Sequence, residues 1–283
     1  DIRQVTFHDE YDVLWPSRGE GGIVYQNGGW IWHFDPSTEQ TRRLSIILAG
    51  DRPYTTAYFE DVADDIESFD ISPSGKRALF GARGEVFTAP AEHGNIRNLS
   101  RTPDARERGV TWSPDGEWIT WLSDASGSYQ LWVVPSDGSA EPRRLTDVDE
   151  AWIEDVTWSP DSEAVAFHDN RNRITVVDVE SGDATVVDET RTGSLTPFNW
   201  SADSRWIAYA KNAENTFSSI WLWSRDDGAT TQVTSDDAND SNPAFDPEGR
   251  FLYFTSARDF DFQFGGGSNF DSRIYVATLQ DDY

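Results

Sequence analysis

Three arginines lie close together in the stretch RTPDARER, residues 101–108, of a chain that is otherwise strongly acidic. Arg101, Arg106 and Arg108 suggest one kind of chemistry, because a guanidinium binds a carboxylate through paired N–H donors. The carboxylate would belong to a ligand, such as the C-terminus of a peptide. The alternative is that these arginines only offset neighbouring Asp and Glu side chains, and the sequence leaves both interpretations open.

Catalytic and metal-binding patterns are absent from the sequence. It has no cysteine, no G-x-S-x-G nucleophile turn and no glycine-rich phosphate loop before a helix. The stretch DDANDSNPAFD, 236–246, offers Asp oxygens for calcium but lacks the regular spacing of a calcium loop. No metal-ligand spacing is found among the histidines, which are His8, His33, His93 and His168. We therefore expect no catalytic residue, metal site or cofactor, and do not expect the chain to be an enzyme.

The net charge of −27 comes from 50 acidic and 23 basic residues, and only Lys76 and Lys211 are lysines. A surface of this kind repels phosphate backbones, so nucleic acid is not expected as a partner. Dense carboxylates hold hydration at high salt, which favours a halophilic source. A simple solubility role of the charge is the alternative.

No stretch of the sequence approaches the roughly 18 apolar residues of a membrane span. The first residue is Asp1 and no signal peptide is recognisable, so we expect that the chain was processed or cut from something longer. We expect a cytoplasmic location, with a periplasmic or secreted one as the alternative.

One phrase recurs along the chain: an apolar anchor residue, a short turn and a hydrophobic strand. The clear copies are ISPSGKRALF (71–80), WSPDGEWITWL (112–122), WSPDSEAVAF (158–167), WSADSRWIAYA (200–210) and FDPEGRFLYFT (245–255), and WPSRGEGGIVY (15–25) is a degenerate first copy. The anchors are Trp15, Ile71, Trp112, Trp158, Trp200 and Phe245. They recur every 41 to 56 residues, and a period of this length with strand-like content is typical of a β-propeller.

Each repeat predicts four strands, with Ser-Pro-Asp-Gly as the first turn and glycine in its left-handed position. The predicted fold is therefore all-β, a single propeller domain over residues 1–283 with six blades of four antiparallel strands. The last repeat lacks a fourth strand after 273–279, whereas Ile2–Thr6 resembles a spare one. We expect that this N-terminal strand completes the last blade and removes its exposed edge. A seven-bladed ring and an open ring are the alternatives.

Blade geometry assigns the loops to two faces. The two longest loops, 48–68 and 257–273, fall on the same face, where binding sites usually lie. Counting four residues back from each anchor gives the expected mouth of a central channel. These mouth positions are Tyr11, Glu67, Arg108, Glu154, Thr196 and Ser241. Together with Arg101 and Arg106 they form the predicted ligand-binding set.

The stretch 71–124, which contains GARGEVFTAPAEHGNIRNLSRTP, resembles the propeller region of tricorn proteases. The stretches 11–35 and 245–260 fit the same family in the same order. The resemblance is to the second, seven-bladed propeller, and it runs over essentially the whole chain. The W-S-P-D-G repeat by itself is shared with TolB-like proteins. One departure is that we count six repeats where the family propeller has seven.

The resemblance implies a role and a set of partners. Tricorn proteases are large serine peptidases with two propellers, a PDZ domain and a catalytic core, and the second propeller is thought to filter peptides. The catalytic serine and its partners belong to the core, which no segment here resembles, so no catalytic residue is carried over. We expect a non-catalytic propeller that binds or gates peptides for the remaining domains of a larger protease. The alternative is a freestanding TolB-like module, possibly periplasmic, that binds a protein partner.

Overall fold

The computed structural model describes residues 2–47, 61–148, 152–191, 193–195, 197–258 and 272–279. Within these ranges the chain forms six antiparallel sheets, and the only helix is a single 3-10 turn at Ala63–Asp65. This confirms the all-β prediction. The long loops predicted at 48–68 and 257–273 lie largely outside the described residues.

The strands follow one another along the chain as the repeat predicts. In chain order they are β1 (Leu14–Gly19), β2 (Gly22–Asn27), β3 (Trp30–Asp35), β4 (Gln40–Arg43), β5 (Ile66–Ile71), β6 (Arg77–Ala82), β7 (Glu85–Pro90), β8 (Arg97–Asn98), β9 (Glu107–Trp112), β10 (Trp118–Ser123), β11 (Gln130–Pro135), β12 (Arg143–Arg144), β13 (Ile153–Trp158), β14 (Ala164–Asp169), β15 (Arg173–Asp178), β16 (Ala184–Glu189), β17 (Phe198–Trp200), β18 (Trp206–Asn212), β19 (Ser218–Ser224), β20 (Thr230–Gln232), β21 (Asp240–Phe245), β22 (Phe251–Ser256) and β23 (Arg273–Thr278).

Each sheet pairs strands that are consecutive in sequence, which makes it one blade. The first blade is β1–β4, and the second, third, fourth and fifth are β5–β8, β9–β12, β13–β16 and β17–β20. The sixth consists of β21–β23, three strands among the described residues.

The strand predicted at Ile2–Thr6 is not found, because the described residues before β1 contain no strand. Ile2 is fully exposed rather than buried against a sheet. Arg3 forms an ion pair with Glu39, which follows β3. The prediction of a strand at this place is thus wrong for this structure, and the number of blades in the ring stays a prediction.

The chain divides into two compact units, Asp1–Glu60 and Asp61–Tyr283. The first holds the first blade, in which Tyr25 and Phe34 are buried. The second holds the second to sixth blades and most of the buried apolar residues. A single domain over the whole chain remains a prediction.

The core of the second unit is divided into layers, each between two consecutive blades. Strand β14 shows how one strand serves two layers. Val165 and Phe167 pack with residues of the third blade, whereas Ala164 and Ala166 pack with residues of the fifth. Side chains alternate along a strand, so a strand covered on both faces is apolar throughout. This explains runs such as AVAF in the sequence.

The turn after the first strand has the predicted left-handed position in the second to sixth blades. In the third blade Gly116 has a φ of 80°, and the Trp118 N–H donates a 2.9 Å hydrogen bond to Ser113 Oγ. In the fourth blade Ser162 occupies the glycine position with a φ of 65°. Its Oγ accepts a 3.0 Å hydrogen bond from the Asp115 N–H, so this serine links two neighbouring blades.

First strands of neighbouring blades also contact one another. The Trp112 N–H in β9 donates a 2.8 Å hydrogen bond to Asp70 Oδ2 in β5. Asn199 in β17 donates through Nδ2 to the Pro243 carbonyl in β21 at 2.7 Å. Residues at the same end of these strands are therefore neighbours across blades, which positions the candidate site.

Candidate functional site

Four of the predicted mouth positions occupy the same place in their blades. Each is the second residue of a six-residue first strand; they are Glu67, Arg108, Glu154 and Ser241. Thr196 lies outside the described residues. Tyr11 belongs to the first unit, where it precedes β1, is exposed and accepts a hydrogen bond from Asn27 Nδ2 through its carbonyl. Ligand binding at these positions stays a prediction.

Arg106 and Glu67 form a two-point ion pair between the second and third blades. Nη2 of Arg106 lies 3.0 Å from both carboxylate oxygens of Glu67, and both side chains are about half exposed. The hydrogen bonds to Glu67 raise the pKa of Arg106. Its backbone N–H donates to Asp124 Oδ1 at 2.7 Å. Arg106 is thus already paired with an acid, as the alternative interpretation of the arginines expects.

Arg108 is held by two aromatic rings. Its guanidinium carbon lies 4.3 Å from the ring centroid of Tyr129 and 4.3 Å from that of Trp152. The two rings meet edge to face with centroids 5.0 Å apart. Such cation–π contacts stabilise a guanidinium without using its hydrogen-bond donors. Arg108 therefore joins the third and fourth blades, and sequence spacing gave no sign of this role.

The other predicted site residues are spread along the blade ends. The Arg101 N–H donates to Asn98 Oδ1 at 3.0 Å, and its side chain is exposed. Glu154 is exposed and pairs across the sheet with His168. The carbonyl of Ser241 accepts a hydrogen bond from Thr255 Oγ1 at 3.1 Å. Of the predicted site residues, Arg106 contacts Glu67. The contacts described for Arg101, Glu154 and Ser241 are with residues outside the predicted set.

Glu107 is a buried acid that sequence reasoning missed. It is the first residue of β9 and only 2% exposed. Its Oε1 accepts hydrogen bonds from Thr102 Oγ1 and Ser123 Oγ, both at 2.8 Å. Its Oε2 is buried and has no hydrogen-bond partner among the described residues. Burial raises the pKa of Glu107. One acid among 50 carries no signal in the sequence, so only its surroundings single it out.

The described ranges contain no group of three or more His, Asp or Glu residues arranged to hold a metal ion. Helices long and apolar enough to cross a membrane are likewise missing from this part of the chain.

Comparison with known proteins gives a family model and relatives that carry the same family name. Residues 66–283 match the family model described as the tricorn protease second β-propeller domain. Tricorn protease homolog 1 of Streptomyces coelicolor is 28% identical over 267 residues, which are 92% of this chain and 25% of that protein. The tricorn protease homolog of Saccharolobus solfataricus is 28% identical over 261 residues, covering 92% of this chain and 24% of that protein.

A solved structure shows the same fold. The crystal structure of the tricorn protease superposes with a TM-score of 0.65 and 22% sequence identity, and it covers 99% of this chain and 28% of that one. This chain spans about a quarter of the length of the curated relatives it matches.

Proposed function

The chain belongs to the tricorn protease family, whose second β-propeller domain matches its residues 66–283, and we propose that it is a non-catalytic propeller that binds peptides. In this proposal it controls their access to the protease core of a larger protein, whose other domains are its partners. The match to a propeller domain of a protease carries the proposal, because such a domain supplies binding surface rather than reacting groups. We place the protein in the cytoplasm.

The charges at the blade ends support a preference among peptides. Glu67 and Glu154 are exposed acids at mouth positions, and the whole chain carries a net charge of −27. This field attracts cationic peptides and repels anionic ones. Binding should be weak, because a domain that admits peptides must also release them.

Arg106 is the best candidate for capture of a peptide C-terminus, because Arg108 is held between two rings. A peptide carboxylate would replace Glu67 as the two-point partner of Arg106. Calorimetric titration tests this with one peptide in free-acid and amidated forms. Arg106→Ser should weaken binding of the free acid by about tenfold and leave the amide unchanged.

The matched control is Arg205→Ser, which removes another exposed arginine that is paired with an acid, Asp226. It should leave both affinities unchanged. Equal binding of acid and amide by the unmodified protein would end the carboxylate proposal. Absence of any peptide binding would remove the peptide-binding function itself.

The alternative function, a freestanding TolB-like module that binds a protein partner, predicts a periplasmic or secreted protein. The complete reading frame separates the two proposals, since only the first requires a following protease core.

The acid excess supports a halophilic origin, in which salt screens repulsion between carboxylates. We expect the melting temperature to rise as KCl increases from millimolar to molar concentration, measured by circular dichroism. A flat response would leave only the solubility interpretation of the charge.

A further inference from the structure

The sixth blade contains a buried carboxylate, Asp240, that is paired with an arginine of the same blade, Arg258. Asp240, the first residue of β21, is 0% exposed. Its Oδ2 accepts a 2.7 Å hydrogen bond from Nη2 of Arg258, and Nε of Arg258 donates to Ser256 Oγ at 2.8 Å. The guanidinium carbon lies 5.6 Å from the ring centroid of Phe254 and 5.0 Å from that of Tyr275. A carboxylate, a hydroxyl and two rings thus surround one guanidinium.

The third blade repeats the carboxylate and hydroxyl of this arrangement. Glu107, the first residue of β9, pairs across the sheet with Ser123, as Asp240 pairs with Ser256. The cation differs. Arg258 lies two residues after Ser256, and the residue two positions after Ser123 is Ala125.

The two rings are repeated as well. Trp121 and Trp132 pair across β10 and β11, as Phe254 and Tyr275 pair across β22 and β23. The third blade therefore offers every partner that Arg258 contacts in the sixth, with larger aromatic rings and without the guanidinium.

A cavity of about 300 Å³ adjoins these residues of the third blade. Its walls include Glu107, Ser123, Trp121, Trp132 and Ala125. Two exposed residues of opposite charge, Arg101 and Glu141, also line it. This volume accommodates a guanidinium group and a short aliphatic stem.

The fifth blade provides a second precedent within the same chain. Tyr209 and Trp221 pair across β18 and β19, at the positions of Trp121 and Trp132. The ammonium of Lys211 lies 5.2 Å from the ring centroid of Trp221 and 2.7 Å from Asp188 Oδ2. Two blades thus place one of their own cations beside such a ring pair.

We propose that the cavity in the third blade binds a guanidinium group from outside the domain, the side chain of an arginine in a peptide. Oε2 of Glu107 accepts from its N–H groups, and the indoles of Trp121 and Trp132 pack on its planar faces. The proposal rests on the proposed function for the peptide that carries the arginine. The guanidinium binds the ionised form of Glu107, so affinity rises as the pH is raised through the elevated pKa of this carboxyl.

Calorimetric titration with acetyl-Ala-Arg-Ala-amide tests the proposal, with the citrulline peptide as its neutral isostere. We expect the citrulline peptide to bind at least about tenfold more weakly, because it lacks the charge. Glu107→Gln should cause a similar loss for the arginine peptide and remove the pH dependence. Ala125→Arg should abolish binding, since the new side chain can take the place that Arg258 takes in the sixth blade.

Glu117→Gln is the matched control, because Glu117 is an exposed acid of the same blade outside the cavity. It should bind the arginine peptide like the unmodified protein. Circular dichroism establishes that each variant is folded, and Glu107→Gln still decides the matter if Ala125→Arg does not fold.

Agmatine separates a free guanidinium compound from a peptide arginine. If agmatine binds in a Glu107-dependent way and the arginine peptide does not, the guanidinium site is supported but its peptide source is overturned. If arginine and citrulline peptides bind equally, or folded Glu107→Gln binds normally, the inference is overturned. In that case the response of free-acid peptides to Arg106→Ser still reports on the proposed function.

Discussion

The third and sixth blades begin with the same arrangement and complete it differently. In each, a buried acid opens the first strand and faces a serine across the sheet. The sixth blade adds Arg258, which contacts Asp240 at 2.7 Å. In the third blade the hydrogen-bond donors to the Glu107 carboxylate, among the residues the structure describes, are two hydroxyl groups. Burial of a carboxylate without a partner costs free energy. The sixth blade offsets this cost with an arginine, and the third blade offsets it with hydroxyl donors.

The difference shows where a propeller can have a ligand-binding site without a change in its strand pairing or turn geometry. Repeats keep strand pairing and turn geometry, because each blade must pack on the next. A side chain that fills space in one repeat can be shortened in another, which opens a cavity lined by the groups that contacted it. Ala125 stands in the third blade where Arg258 stands in the sixth, so the third blade has a candidate binding site in place of an internal ion pair.

The largest effect that tests this comparison is expected from Arg258→Ala. This change leaves Asp240 buried without its cation, and breaking a buried pair destabilises by about 3–5 kcal/mol. The lower end applies here, because the side chain of Arg258 is 35% exposed. The free energy of unfolding from urea titration measures the change.

Arg205→Ala removes an arginine from an exposed ion pair and is the control, with a much smaller loss expected. If both variants lose the same free energy, Asp240 does not depend on Arg258 and the contrast between the blades fails.

A smaller, pH-dependent effect is expected from Glu107→Gln. The pKa of Glu107 is raised in the folded state, so the folded protein binds a proton more tightly than the unfolded chain, whose Glu pKa is about 4.3. The contribution of Glu107 to the free energy of unfolding of the unmodified protein therefore falls as the pH rises above this value, and it levels off above the folded pKa. Glutamine cannot ionise, so the variant should gain stability relative to the unmodified protein over the same range.

Urea titrations at several pH values measure this difference, with Glu107→Asp as a control that keeps an ionisable group. A difference between Glu107→Gln and the unmodified protein that does not change with pH would mean that Glu107 ionises alike in the folded and unfolded chains.

Much of the fold could be predicted from the sequence, because its signals are local and repeated. Alternating apolar residues and the Ser-Pro-Asp-Gly turns predict blades wherever they occur, and the structure has its sheets at those places. The exception is Ile2–Thr6, a short polar segment whose likeness to a fourth strand rests on a few residues. Pairing with another strand decides whether such a segment is a strand.

The candidate site, like the fold, could be predicted from the sequence only in part. By itself the sequence determined the blade repeat, the family resemblance and the strand ends at which Glu67, Arg108, Glu154 and Ser241 lie, because counting from an anchor fixes a position within a blade. Only the tertiary structure decided that Arg108 is held by Tyr129 and Trp152, and that Glu107 lines a cavity beside two tryptophans. Those contacts join residues from different strands and blades, and one acid among many is distinguished only by the neighbours that bury it.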